Sequence, residues 1–150
     1  MRVTTWAEYG VIVALHLARR ESSNPVPARD VAEFEHLPTD YVEQIFLRLR
    51  RAGLVTSVRG ARGGYRLSRE PAEISIRDVV EAAEGTTFEV NCDSHRVSDQ
   101  RCDPAVNCSI RPVWRMLRTR IDEVLSGVSL EDLLVQEEAV SERLESVVFG

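Results

Sequence analysis

Leu37-Pro-Thr-Asp-Tyr-Val-Glu-Gln-Ile-Phe-Leu-Arg-Leu-Arg-Arg-Ala-Gly53, running on into Leu54-Val-Thr-Ser-Val-Arg-Gly-Ala-Arg-Gly-Gly-Tyr-Arg-Leu67, decides the fold. In its first half Tyr41, Val42, Ile45, Phe46 and Leu49 recur at helical spacing, with Thr39 as the expected N-cap and Gly53 as the stop. The second half reads as strand (Leu54 to Arg59), glycine-rich turn (Gly60 to Gly64) and returning strand (Tyr65 to Leu67). Upstream, Pro27 opens a shorter helix, Ala28 to about Glu35, and Leu37-Pro-Thr39 is a tight turn between the two. Two helices on a tight turn followed by a β-hairpin predict a winged helix-turn-helix, mainly α with a small β-wing.

Outward from that centre, Thr5-Trp-Ala-Glu8 fits a capping box for a first helix that runs to about Arg20 and turns Tyr9, Ile12, Val13, His16 and Leu17 inward. Ser75-Ile-Arg-Asp78 caps a fourth helix that continues to about Glu84 and closes at Gly85. Pro112 opens a long helix whose Val113, Trp114, Leu117, Ile121, Val124 and Leu125 form one stripe, ended by Gly127. Ser129-Leu-Glu-Asp132 caps a last short helix to about Val135, and the charged tail from Gln136 is expected to be mobile. The chain thus divides into a winged helix-turn-helix domain (1–85), a cysteine-containing loop (86–110), a dimerisation helix with a short last helix (111–135) and a charged tail (136–150).

At 150 residues, 43% apolar and 29% charged, the chain can build one ordinary globular core. No apolar run approaches the ~20 residues of a membrane span, and the N-terminus lacks a secretory pattern, so the expected location is the cytoplasm, with no membrane partner. A net charge of −5 argues against nucleic acid until its distribution is read. Pro38 to Glu70 holds seven arginines against Asp40, Glu43 and Glu70, a local +4 that leaves −9 for the remainder. A basic stripe on an acidic body is the footprint of a nucleic-acid partner.

A recognition helix presents its N-terminal residues to base edges while flanking groups hold phosphates. Gln44 can pair with adenine and Glu43 can accept from a cytosine amino group. Thr39 and Tyr41 suit phosphates, Asp40 sits beside them, and Arg48 and Arg50 belong to the basic end of the same helix. Arg59 and Arg62 flank the wing turn, whose glycines let the backbone approach the minor groove. The plainer alternative makes Thr39 a cap, Tyr41 a packing residue and the arginines a solvated face.

All three cysteines lie in one polar loop: Cys92, Cys102 and Cys108, with nine and then five residues between them. An odd count in a chain without a secretory signal favours metal or redox chemistry over structural disulfides, and thiolates are soft metal ligands.

The sequence resembles the bacterial winged-helix transcription regulators that include IscR, NsrR and RirA. Tyr41 to Val55 and Ser57-Val-Arg-Gly-Ala-Arg-Gly-Gly-Tyr-Arg-Leu67 carry the likeness, which continues through Ile74 to Val80, the cysteines and the Trp114 helix to about Val135. The resemblance implies a homodimer on a double-stranded DNA operator, with an iron–sulfur cluster, [2Fe–2S] or [4Fe–4S], on Cys92, Cys102 and Cys108. The first cysteine gap is longer than is usual in that family, which leaves the cluster type open. Where IscR-type proteins carry a histidine, three residues past the last cysteine, this chain has Arg111, which cannot ligate a cation. Glu8, supplied by the partner subunit as in NsrR-type proteins, and His95 remain as candidates for a fourth ligand. Their plainer roles are a capping box with Thr5 and a solvent-exposed loop residue. A cluster of this kind would make the chain a sensor of redox state, nitric oxide or iron.

Trp114, Leu117, Ile121 and Val124 follow an a/d-like spacing that suits a two-fold helix pair, which would set two recognition helices about one DNA turn, ~34 Å, apart. Packing of the stripe on its own subunit is the alternative. Two rival functions remain. The same DNA-binding fold could be switched by bare thiols or zinc, or the chain could be a small iron–sulfur enzyme or electron carrier. Neither a Ser/His/Asp set nor a phosphate loop is present to support an enzyme.

Overall fold

A computed structural model describes residues 3–20, 24–94 and 96–149. Helix α1 spans Thr5–Ala18, α2 Ala28–Phe34 and α3 Thr39–Arg51. Strands β1, Val55–Val58, and β2, Gly64–Leu67, form the antiparallel wing in the register Val55↔Leu67 through Val58↔Gly64. Helix α4, Ile76–Glu84, leads through a short α5, Asn91–Ser94, to the long α6, Arg111–Ser126, and to α7, Glu137–Phe149.

The boundaries near the front of the chain shift by one residue from those expected. Thr4, not Thr5, caps α1: its hydroxyl accepts from the Ala7 N–H at 3.3 Å, and Glu8 stands exposed outside the cap. Pro38 holds the N-cap position of α3, and Thr39 is its first helical residue with no side-chain cap. At α4 the expected capping box is present, with reciprocal bonds between Ser75 and Asp78, and Gly85 ends the helix at φ +92°.

The core gathers α1, α2, α3, α4 and the root of the wing around Val13, Val31, Val42, Ile45, Phe46, Leu49 and Val79, all fully buried. Phe46 lies flat on Tyr65 of the wing, ring centroids 4.2 Å apart and planes 2° apart. Tyr65 also exchanges two 2.8 Å backbone hydrogen bonds with Val26, which extends the hairpin by one bridge. That seating requires glycine next door. At Gly64, φ is +148°, and a Cβ would lie 2.3 Å from the Val26 carbonyl carbon. Behind the core, α1 and α4 cross closely at Gly10, where a Cβ would lie 2.9 Å from that of Ala83.

The second half is built differently. No residue of α6 is buried. The expected last helix is a single 3-10 turn, Glu131–Leu133, though Ser129 and Asp132 still bond each other reciprocally at 2.9 and 3.2 Å. Backbone bonds Ile76 N–H to Val128 and Leu130 N–H to Ile74, both 2.9 Å, tie that turn to the start of α4. Where a mobile tail was expected, α7 forms instead. Arg143 reaches Asp132, 8% exposed, at 2.8 Å, Leu144 packs on the core, and Val147 approaches Gly127 at the end of α6. No helix among the described residues is long and apolar enough to cross a membrane.

Candidate nucleic-acid interface and cysteine site

Helix α3 buries Val42, Ile45, Phe46 and Leu49 and leaves Thr39, Asp40, Glu43, Gln44 and Arg50 exposed on the opposite side. The wing carries Arg59 and Arg62 at its exposed tip and Arg66 on its exposed face. Helix end and hairpin tip therefore offer one polar, arginine-bearing surface, with the acidic and amide side chains of the first α3 turns between. Arg50 donates to the Ser57 hydroxyl at 3.3 Å, linking α3 to β1 across that surface.

Two of the residues expected there also face α1. Tyr41, expected both to turn inward and to suit phosphates, is 39% exposed, its ring tilted on Trp6 and edge-on to Tyr9 of α1, with ring centroids 4.9 and 5.8 Å away. Arg48 is half-buried: its guanidinium carbon lies 3.9 Å from the Trp6 ring centroid, and it donates to the Ala83 carbonyl. A guanidinium so engaged is withdrawn from the surface on which its charge alone had placed it.

The cysteine segment leans on α6. Asp93 of α5 pairs with Arg118 at 3.1 Å and with Arg115 at 4.0 Å, and the Arg111 side chain donates to the Asp103 carbonyl at 3.2 Å. The Asp103 carboxylate accepts from the Ala105 N–H at 2.7 Å, a local turn between the last two cysteines. All three thiols are free and half-buried. Cys92 and Cys102 line one cleft of about 290 Å³ together with Phe88, Val90, Val97 and Trp114. Cys108 lines a separate cleft with Pro104, Arg111 and Arg115. Hydrogen bonds from the Arg111 and Ile110 N–H groups at the start of α6 hold the Cys108 thiol below the ordinary cysteine value, against partial desolvation, and the charges of Arg111 and Arg101 add to the lowering.

As a donor set these residues fit an iron–sulfur cluster in kind: three free thiols on one segment, one of them held toward the thiolate that a metal binds. In position they fit only in part. The single chain brings Cys92 and Cys102 to one cleft and leaves Cys108 outside it, and among the described residues no three metal-ligating side chains stand together. Glu8 is exposed on α1, in the winged-helix half of its own chain, and His95 lies outside the described residues. Cluster binding in this arrangement needs the segment to close around Cys108.

The α6 stripe is divided. Leu117, Ile121 and Val124 are already half-covered by their own chain, in which α6 packs on α4, whereas Trp114 is 44% exposed. Beside it stand Val113 of the same stripe, 59% exposed, and two residues the stripe did not include, Ile110 and Met116, 46 and 58% exposed.

A family model described as Rrf2, an iron-dependent transcriptional regulator, matches residues 3–136. The chain belongs to the Rrf2 family. The HTH-type transcriptional regulator IscR of Aliivibrio salmonicida is 37% identical over 145 residues, covering 95% of this chain and 84% of that protein. Among solved structures, CymR, described as the global cysteine regulator of B. subtilis, superposes with a TM-score of 0.73 at 32% identity, over 89% of this chain and 96% of that one. The T. potens IscR structure gives 0.71 at 34%, over 89% and 86%. The fold is therefore the winged helix of the Rrf2 regulators, and this Rrf2 protein is a DNA-binding transcription regulator. Its relatives are named as regulators, not as enzymes. Two residues that matter to this site were missed from sequence, Trp6 and Ala83. The signal for Trp6 was available, since an aromatic in the first turn of α1 faces the aromatic that opens α3.

Proposed function

We propose that the chain works as a homodimer on a double-stranded DNA operator in the cytoplasm. Its affinity is set by an iron–sulfur cluster, [2Fe–2S] or [4Fe–4S], held on the cysteine segment. The observation that carries the proposal is the contrast along α6: a 16-residue helix with no buried residue, beside three free thiols, under a finished winged helix. Val113, Trp114 and Met116, 59, 44 and 58% exposed on this helix, call for a cover, and a second copy related by a two-fold would provide one. Its interface would centre on Trp114, Leu117, Ile121 and Val124, extended by Val113 and Met116.

Bases would be read by Asp40, Glu43 and Gln44, and phosphates held by Thr39, Arg50, Arg59 and Arg62. Arg48 serves elsewhere, and the Tyr41 ring is held against Trp6 and Tyr9. Cys92, Cys102 and Cys108 would hold the cluster, with Glu8 of a second copy or His95 as the remaining donor. When bound, the group supplies one-electron chemistry and a site open to nitric oxide or to iron loss. What this chain's own residues do is fix the segment: Asp93 ties its start to α6 and Arg111 its end.

The test is the visible and electron paramagnetic resonance spectrum of anaerobically purified protein, wild type beside Glu8→Ala and His95→Ala. A broad visible band with iron and sulfide is expected, altered by one of the two substitutions. A colourless protein that resists reconstitution would overturn the cluster and leave the DNA-binding fold as it is.

A second reading has its own support. The lowered Cys108 thiol lies apart from the other two, and a protein with this fold is described as a cysteine regulator. Bare thiols would then be the switch, with zinc as the remaining metal possibility. Because the thiolate is the nucleophile, Cys108 in the colourless protein should alkylate at lower pH than a free cysteine peptide. Alkylation at the pH of the peptide would remove that support.

A further inference from the structure

Trp6 is gripped by two side chains of the recognition helix. The Tyr41 ring centroid is 4.9 Å from that of Trp6, with planes tilted by 39°, and the Arg48 guanidinium carbon is 3.9 Å from the Trp6 centroid. Tyr41 and Arg48 are seven residues, two helical turns, apart, so both rise from one face of α3. The same guanidinium donates to the carbonyl of Ala83 in the last turn of α4. That carbonyl is among those a helix end leaves without an intrahelical partner. Ala83 is also the residue on which α1 closes at Gly10. Two residues beyond it, Gly85 ends α4 and the cysteine segment begins.

One planar group therefore fastens the recognition helix at two places: the first turn of α1, which also carries Glu8, and the root of the cysteine segment. A guanidinium can stack with its face and donate along its edge at once, which an ammonium cannot. On the proposed reading of the cysteine segment, we infer that Trp6 and Arg48 are positioning residues that carry the state of that segment to α3. A shift of Ala83–Gly85 or of the first α1 turn pulls on the same side chain, and α3 follows. Neither residue need touch DNA or a ligand for this.

The experiment compares wild type, Arg48→Met, Arg48→Lys and Trp6→Leu. Each is taken anaerobically reconstituted with iron and sulfide, then chelated with its thiols reduced, and titrated with a DNA fragment from the gene's own upstream region. Wild type is expected to change affinity by about tenfold or more between the two states. In Arg48→Met and Trp6→Leu that ratio should fall to within about twofold of unity, with the visible spectrum retained and the tighter state weakened by no more than about threefold. Arg48→Lys, which keeps a donor but not the stack, should lie between. A wild-type ratio preserved in both variants would overturn the inference.

A second arm separates this from failure of the cluster itself. If wild type shows no visible band or no state dependence, hydrogen exchange on the cofactor-free chain decides. Arg48→Met should speed exchange about tenfold in residues 39–51 and in 84–92 together, because one group braces both. Faster exchange confined to α3, or none, would overturn the strut whatever the cysteines bind.

Discussion

The two halves of this molecule differ in how much of their own surface they satisfy. From α1 to α4 the apolar faces pack on one another within the chain: Phe46, Ile45, Leu49, Val42 and Val31 are fully buried and the wing is stacked on Phe46, while Phe34, 70% exposed, stands outside the core. From α5 to α6 the reverse holds. Helix α6 covers Leu117, Ile121, Val124 and Leu125 only in part and buries no residue fully, Val97 is 80% exposed, and the thiols are free. The first half is a finished object that can be presented to DNA. The second leaves Val113, Trp114 and Met116 of α6 exposed, and on the proposed reading a second chain, a bound group, or both would complete it.

The sharpest way to break this comparison is to make one truncation in each half. Phe46→Ala removes a fully buried ring that holds α3 to the wing and should cost about 3–5 kcal/mol, enough to unfold a marginal domain in urea. Trp114→Ala should cost the isolated chain less than about 1 kcal/mol. It should instead shift sedimentation equilibrium toward monomer. If dilute, monomeric protein loses as much stability from Trp114→Ala as from Phe46→Ala, the second half is as self-sufficient as the first and the contrast fails.

A smaller effect sharpens the DNA side. Arg59→Ala and Arg62→Ala at the exposed wing tip should each reduce the slope of log affinity against log salt by about 1, while urea stability stays within about 0.5 kcal/mol of wild type. An unchanged salt slope would place the phosphate contacts elsewhere on the molecule. Both readouts together matter, since a loss of affinity with a loss of stability would report a damaged wing and not a lost contact.

What was legible in the sequence follows the same division. The winged half is written in local signals: the apolar spacing of α3, the Ser75/Asp78 box, Gly85, and an Arg/Gly turn between two strands. Its boundary errors are of one or two residues, where neighbours compete for a role, as Thr4 does with Thr5 and Pro38 with Thr39. Arg48 was misplaced because its partners, Trp6 and Ala83, lie 42 and 35 residues away and no spacing rule links them. Helix α7 was missed because it has no sustained apolar stripe; long-range anchors, Val147 near Gly127 and Leu144 on the core, hold it in place. The cysteines were legible as chemistry but not as geometry. Their spacing says what they can bind, while turns such as that of Asp103 decide which of them share a cleft.

Helix α7 offers a test between those extremes. Asp132 is buried, bonds the Ser129 N–H and takes Arg143 as its charged partner, but that arginine is 60% exposed. Arg143→Ala should therefore cost about 1 kcal/mol, discounted for solvent, and should raise hydrogen exchange in residues 137–149 well before 39–51. Exchange rising equally in both would make α7 part of the finished half.

The smallest effect expected is the most local. Asp93 pairs with Arg118 and Arg115, but all three side chains are 39–64% exposed, so Asp93→Asn should change global stability by no more than about 0.5 kcal/mol. The pair is nonetheless one of two ties of the segment's start to α6, beside the Thr87 hydroxyl that donates to Asp122 at 2.5 Å, and it is the one nearer the cleft that Cys92 and Cys102 share with Trp114. Loss of it should speed exchange around residues 90–94 and leave α3 and the wing at wild-type rates. A global loss of protection would mean that the segment is integral to the core, and the second half would then be more complete in the single chain than its exposed helix implies.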